Sequence, residues 1–121
     1  MQDTPKNFYK KLLGRVGENK AVNHLKKEGY KILKTNYKTR FGEADIIAEK
    51  DETIVFIEVK TRKDSAFGAP SEAVNRTKQE KYKKVAEEFL LKNRFLERNS
   101  RFDVIEVENG EINHIIDAFW C

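Results

Sequence analysis

Apolar positions along the chain recur with two periods, and the switches between them mark the elements. From Pro5 to Glu28 the spacing is helical, with Glu18, Val22 and Leu25 in line at i, i+4 and i+7. Asp3 or Thr4 can cap this helix with Pro5 in its first turn, and Gly29 stops it. Gly14 and Gly17 are expected to weaken it or interrupt it early. Tyr30–Tyr37, Glu43–Glu49 and Ile54–Thr61 then read as strands, the last two joined by the hairpin loop Lys50-Asp51-Glu52-Thr53. Arg62–Pro70, with Gly68 and Pro70, reads as a loop. Thr77 can cap a second helix reaching Asn93, whose stripe is Tyr82, Val85, Ala86, Phe89 and Leu90. Phe102–Val107 and Ile112–Phe119 close the chain as strands around an Asn109-Gly110 turn. The order αβββαββ predicts an α/β fold, a mixed sheet with helices against it. A length of 121 residues makes 1–121 a single domain.

The hairpin carries the informative chemistry. A symmetric turn at Asp51-Glu52 pairs Asp45 with Glu58 and Glu43 with Lys60. Alternation then puts Glu43, Asp45, Glu58 and Lys60 on one face, and Ala44, Ile46, Ala48, Val55, Ile57 and Val59 on the other. Like charges directly opposite destabilise a strand pair by roughly 0.2–1 kcal/mol even when exposed. A divalent cation between the carboxylates removes that repulsion. Mg²⁺ or Mn²⁺ suits such a site, since hard ions take one or two carboxylates with backbone oxygens and water. The expected ligands are Asp45, Glu58 and, through the backbone, Val59. Lys60 would stand beside the ion, able to orient a water or neutralise a phosphate, which is what metal-assisted phosphodiester hydrolysis needs. An exposed hairpin face with an ordinary Glu–Lys pair is the other reading of the same residues. Glu18, a carboxylate on the buried stripe of the first helix, is either a third acid near the metal or a rim residue paired with a lysine.

Composition sharpens this picture through the distribution of charge. Residues 1–41 carry eleven Lys/Arg against three Asp/Glu, residues 42–61 two against six, residues 62–101 eleven against six, and residues 102–121 none against five. An acidic centre between basic flanks suits a protein that holds a cation and grips a polyanion. Arg40, Arg62, Lys63, Arg76 and Lys78 sit on loops or helix starts near the strand ends and are candidate phosphate contacts. Hydrophobic residues make up 39% and charged residues 36%, enough for one modest core under a strongly polar surface. No apolar run approaches the roughly 18 residues of a membrane span, and the N-terminus lacks a secretory apolar stretch. The single cysteine, Cys121, excludes disulfide scaffolds and cysteine zinc sites, so a cytoplasmic setting is the default expectation.

Other residues add little. His24 and His114 are far apart in sequence and predict no histidine metal site; His24 sits near a helix end that favours a cation. Ser65, Ser71 and Ser100 have no nucleophile context, and the six glycines form no phosphate loop. Phe119 and Trp120 read as core caps. Phe41, Phe67 and Tyr37 lie beside loops near the site, where stacking on a splayed base is the minor reading.

The ordered set Gly17-Glu18, Ala21, Gly42-Glu43-Ala44-Asp45, Phe56-Ile57-Glu58-Val59-Lys60-Thr61-Arg62, Phe67-Gly68, Glu72-Ala73-Val74, Lys78-Gln79, Arg101-Phe102-Asp103-Val104 and Ala118-Phe119 closely resembles the bacterial YraN family. That family is placed in the PD-(D/E)XK nuclease superfamily and is similar to archaeal Holliday junction resolvases. The resemblance implies a restriction-endonuclease-like fold, a mixed four- or five-stranded sheet flanked by helices. It also implies that Asp45 and Glu58 are the motif's acids and Lys60 its lysine. Glu18 matches the acid that many relatives place on the first helix. Gln79 and Tyr82 resemble a Gln/Tyr pair on the following helix of some nuclease families, which makes Gln79 a further nucleic-acid contact. Ala44 stands where the superfamily's name has proline. The expected function is a metal-dependent endonuclease acting on DNA, branched or damaged structures included, as a monomer or a homodimer. The alternatives are a non-catalytic nucleic-acid-binding protein that keeps the fold, and an adaptor whose acidic hairpin is structural.

Overall fold

A computed structural model describes residues 5–62 and 75–119, with the backbone alone for residues 5–11 and Arg62. The expected cap at Asp3 or Thr4, the loop beyond Arg62, Lys63, Phe67 and Trp120 lie outside the described residues. The elements are α1 (Pro5–Lys27), β1 (Lys31–Thr39), β2 (Gly42–Lys50), β3 (Thr53–Arg62), α2 (Arg76–Lys92), β4 (Asn99–Glu108) and β5 (Glu111–Phe119). They form one five-stranded sheet in the order β1-β2-β3-β4-β5. The two hairpins at its edges are antiparallel, whereas β3 and β4 run parallel in unbroken register from Thr53 opposite Asn99 to Arg62 opposite Glu108. A parallel neighbour needs a crossover, and α2 lies within it. No helix among the described residues is long and apolar enough to cross a membrane.

Local chemistry explains the boundaries. Gly29 at φ 90° ends α1: its N–H bonds Lys26 O and the Tyr30 N–H reaches back to Leu25 O, a Schellman ending. The β2–β3 loop is tighter than expected. Asp51 and Glu52 both have positive φ and form a two-residue turn, with Lys50 and Thr53 already paired. The α2 cap is Asn75, not Thr77: its side chain accepts from the Lys78 N–H at 2.9 Å, which leaves Thr77 inside the first turn.

Both sheet faces are apolar, where the hairpin pattern had suggested one. Ala21 and Leu25 of α1 cover Ile46, Ala48, Val55, Ile57, Ile105 and Val107. The α2 stripe from Tyr82 to Leu90 covers Ala44, Ile47, Ile54, Phe56 and Val104. Each of the Leu, Ile, Val and Phe side chains among these stabilises the fold by about 1.5–3 kcal/mol when fully buried. Ala44 therefore lies on the α2 side, opposite the expected placement with Ile46 and Ala48. Strand alternation breaks between these residues, at Asp45.

A buried polar cluster fastens α1 to the far strands. Asp103, fully buried, accepts from Arg101 at 3.0 and 3.2 Å and from the Asp117 N–H at 2.9 Å, and hydrogen-bonds His114 Nε2 at 2.7 Å. His114 Nδ1 lies 3.2 Å from His24 Nε2 on α1, and Arg101 donates to the Tyr30 hydroxyl at 2.6 Å. Burial and then His114 push the His24 pKa below its ordinary value, against the helix-end expectation of a cation.

The helix α1 runs unbroken through Gly14 and Gly17. Gly17 is required by close approach: a Cβ there would collide with Thr61 Oγ1 and lie 3.1 Å from Thr61 Cβ. We expect Gly17→Ala to destabilise the protein by about 1–3 kcal/mol, the usual scale of overpacking, despite alanine's better helix propensity. Adding Thr61→Ala should restore most of the loss in urea unfolding. Equal losses in the single and double variants would show that the contact does not set the packing distance.

Candidate active site

The β2–β3 ladder runs from Lys50 opposite Thr53 to Ile46 opposite Ile57, in the expected register, and stops there. Beyond it β2 stays paired with β1 as far as Gly42, and β3 stays paired with β4 as far as Arg62. The two central strands therefore part, and a wedge opens between them. The expected direct pairing of Asp45 with Glu58 and of Glu43 with Lys60 does not form. Instead the Asp45 carboxylate reaches across the gap and accepts the Val59 N–H at 2.8 Å. It stands in for the ladder carbonyl that β2 no longer supplies.

This geometry places Asp45 at two clefts. One, of about 430 Å³, is lined by Asp45, Glu58, Asn75, Lys78, Lys81 and Tyr82 among others. The other, of about 410 Å³, is lined by Asp45 with Glu18, Leu13, Gly14, Val59 and Thr61. Glu18 thus approaches Asp45 from the α1 side, while Glu58 shares its cleft on the α2 side. Glu58 is 5% exposed, and its Oε1 is 3.0 Å from the Lys60 ammonium. The same oxygen is ion-paired with Lys78. The Tyr82 hydroxyl, almost wholly buried, bonds the Glu58 carboxylate and the Asp45 backbone.

The two acids are driven apart electrostatically. Burial pushes the Asp45 carboxyl up to about 7; the Val59 N–H opposes this, and the charges of Glu58, Glu18 and Glu43 add to it. Burial would also raise Glu58, but the hydrogen bond from Lys78 and the charge of Lys60 outweigh it and hold Glu58 below the usual glutamate value. Burial, and then Lys78, push the Lys60 ammonium below its ordinary value despite Glu58, so its neighbours do not simply favour the charged form as the sequence suggested. Burial and the charges of Glu58 and Asp45 raise the Tyr82 pKa, keeping its hydroxyl protonated as a donor.

The donor set fits a hard divalent cation. Two carboxylates from neighbouring strands line one cleft, and the excess of negative charge around Asp45 is what a cation would offset. Among the described residues no three His, Cys, Asp or Glu cluster tightly enough to hold an ion alone. Such an ion would therefore take Asp45 and Glu58 together with backbone oxygen and water, the habit of Mg²⁺.

The remaining candidates divide. Lys78, expected at the surface as a phosphate contact, is turned inward onto Glu58. Its spacing of i, i+4 from Tyr82 was the available signal, because it puts both on one helix face. Lys81 lines the larger cleft and was not singled out by the sequence. Arg40 is exposed at the β1–β2 turn with its guanidinium 4.8 Å from the Phe41 ring centre. Arg76 is exposed and within 3.8 Å of Glu80. Gln79 is half-buried beside Lys78 and is not among the residues lining the cleft. The Arg62 side chain and all of Lys63 fall outside the described residues.

The model of the "Uncharacterised protein family UPF0102" matches residues 17–107, a span that includes Glu18, Asp45, Glu58, Lys60, Lys78 and Tyr82. The chain belongs to this family. A UPF0102 protein of Alkaliphilus oremlandii is 54% identical over 115 residues, covering 90% of this chain and 98% of its own. One from Caldicellulosiruptor bescii is 53% identical over 119 residues, with 90% and 98% covered. The UPF0102 family is the one that the sequence resemblance, to YraN, had indicated.

The raised Asp45 pKa has a measurable consequence in metal-free protein. Below the ordinary carboxylate range, near 3.8, the folded and unfolded chains are both protonated at this residue. Between there and about 7 the folded protein keeps a proton that the unfolded chain has lost, so this contribution to stability falls as pH rises. Asp45→Asn should abolish the fall. With chelator present, its melting temperature should exceed wild type by several degrees at pH 8, and the gap should close toward pH 4. A gap independent of pH would show that Asp45 titrates normally.

Proposed function

We propose that this chain is a metal-dependent nuclease that hydrolyses phosphodiester bonds in DNA as an endonuclease. The observation that carries this reading is the wedge between β2 and β3. There Asp45 and Glu58 line one cleft and Lys60 sits against Glu58, as metal-assisted phosphodiester hydrolysis requires. Asp45 and Glu58, with backbone oxygen at Val59, would hold Mg²⁺ or Mn²⁺. Bound there, the ion would polarise the scissile phosphate and lower the pKa of a water molecule.

The chain's own groups do the rest. The Val59 N–H fixes one Asp45 oxygen and leaves the carboxylate's other lone pairs directed elsewhere. Tyr82 anchors Glu58 from α2 and ties it to the Asp45 backbone. Lys60, with its ammonium made more acidic by burial and Lys78, can orient the attacking water, take its proton when neutral, or offset charge on the phosphate when protonated. Glu18 presses negative charge on Asp45 from the opposite cleft, which favours a cation beside it. Lys81, which lines the larger cleft, and the exposed Arg40 and Arg76, close in sequence to its lining residues Gly42, Asn75 and Thr77, supply positive charge for the backbone of the nucleic acid, and DNA is the substrate this reading names.

Asp45→Ala should lower cleavage at least about a hundredfold while duplex binding holds or tightens, because a repulsive charge is removed. Lys60→Ala should lose nearly all cleavage and part of the affinity. The assay is cleavage and gel shift in parallel on branched, single-stranded and duplex DNA with Mg²⁺, Mn²⁺ or chelator. Wild type that cuts none of these with either metal would overturn the nuclease reading in favour of a binding protein on the same fold.

Binding should weaken steeply with salt, since each neutralised phosphate releases counterions. Arg40→Ala and Arg76→Ala should each reduce the slope of log K against log salt by about 1. Unchanged slopes would place the nucleic acid on another surface.

A further inference from the structure

Glu58 Oε1 is shared by two ammonium groups, and they are not equivalent. Lys60 comes from β3 itself, two residues along on the same face, with its side chain 25% exposed. Its backbone is held by a strand that is paired with β4 throughout, so it stays within side-chain reach of Glu58. Lys78 comes from the first turn of α2, has its side chain 38% exposed and lines the larger cleft with Asp45 and Glu58. One cation suffices to neutralise one carboxylate oxygen. The second, Lys78, is the more exposed and lines the cleft, where it can serve another anion when one arrives.

We propose that Lys78 is the resident counter-ion of Glu58 in the metal-free protein, and that it yields this oxygen to a divalent cation and turns to a phosphate in the same cleft. The inference rests on the nuclease reading and goes beyond it in one respect: metal and nucleic-acid binding become coupled through a single side chain. Metal alone must displace Lys78 and binds weakly. A phosphate in the cleft gives the displaced ammonium a new partner. By thermodynamic reciprocity, DNA then tightens the metal by the same factor as the metal tightens DNA.

The test uses Mn²⁺ alone as the probe. Calorimetry of wild type and Lys78→Met should show about tenfold tighter Mn²⁺ in the variant, the effect of removing one competing charge worth about 1.4 kcal/mol. Labelling of wild type with limiting N-hydroxysuccinimidyl acetate, read by mass spectrometry, should show Lys78 becoming more reactive with Mn²⁺. The exposed Lys92, remote from the cleft lining, should stay unchanged. Mn²⁺ bound with no change at Lys78 and no gain in Lys78→Met would overturn the counter-ion role and leave the nuclease reading standing. Tight binding by the variant where wild type binds too weakly to measure would support it. Absence of Mn²⁺ binding in both proteins at millimolar concentration would overturn the nuclease reading and this inference together. The labelling arm needs no variant, so it decides even if Lys78→Met is unstable.

Discussion

One hydrogen bond organises the centre of the molecule, from the Val59 N–H to the Asp45 carboxylate. Two neighbouring strands that part in the middle of a sheet leave unpaired N–H and C=O groups, and buried groups of that kind are costly. The Asp45 side chain supplies the missing acceptor. It can do so only because it sits where β2 leaves β3, with strand alternation broken between Ala44 and Ile46. The same residue therefore closes the backbone ladder and opens the cleft.

From that constraint follows the unequal treatment of the two acids. Burial at Asp45, reinforced by three other carboxylates, outweighs the Val59 N–H, so it gives up its proton late. Glu58 lies on the α2 side alone, with Lys60, Lys78 and Tyr82 around it, and stays ionised. Two carboxylates a strand apart thus reach different charge states because one faces acids and the other faces amines. The supporting shell is built on regular elements. The α1 helix presses against Thr61 at Gly17, and α2 delivers Lys78 and Tyr82 on one face.

Much of this was legible in the sequence. Element order, the turns at Asp51-Glu52 and Asn109-Gly110 and the α2 stripe follow from periodicity and turn chemistry, because each is a local property of the chain. The hairpin register was correct for the pairs nearest the turn and failed at Asp45. A side chain replacing a backbone acceptor leaves no trace in an alternation pattern. The cap is Asn75 and not Thr77 two residues on: both residue types cap helices, asparagine the better of the two, and periodicity does not fix a boundary to within two positions. Gly17 read as a helix weakness, since the reason for it lies on β3. His24 and His114 read as unrelated because the contact between them depends on how α1 docks beside β5. Lys78 was placed at the surface for the same reason: the sequence shows a lysine at a helix start, and only the packing of α2 shows which carboxylate it meets.

The parallel pairing of β3 with β4 also bears on how the protein assembles. The hairpin that holds Asp45, Glu58 and Lys60 is closed by a two-residue turn, so its loop entropy is small and it can form within microseconds. The β3–β4 pairing must wait for the chain from 63 to 98 to close, and non-local contacts of that kind form slowly. Docking of α2 belongs to the same step. In the nascent chain the two acids and Lys60 are therefore together before Lys78 and Tyr82 reach them. Lys60 meets Glu58 within the hairpin itself, and the second ammonium and the Tyr82 hydroxyl are added when the crossover helix docks.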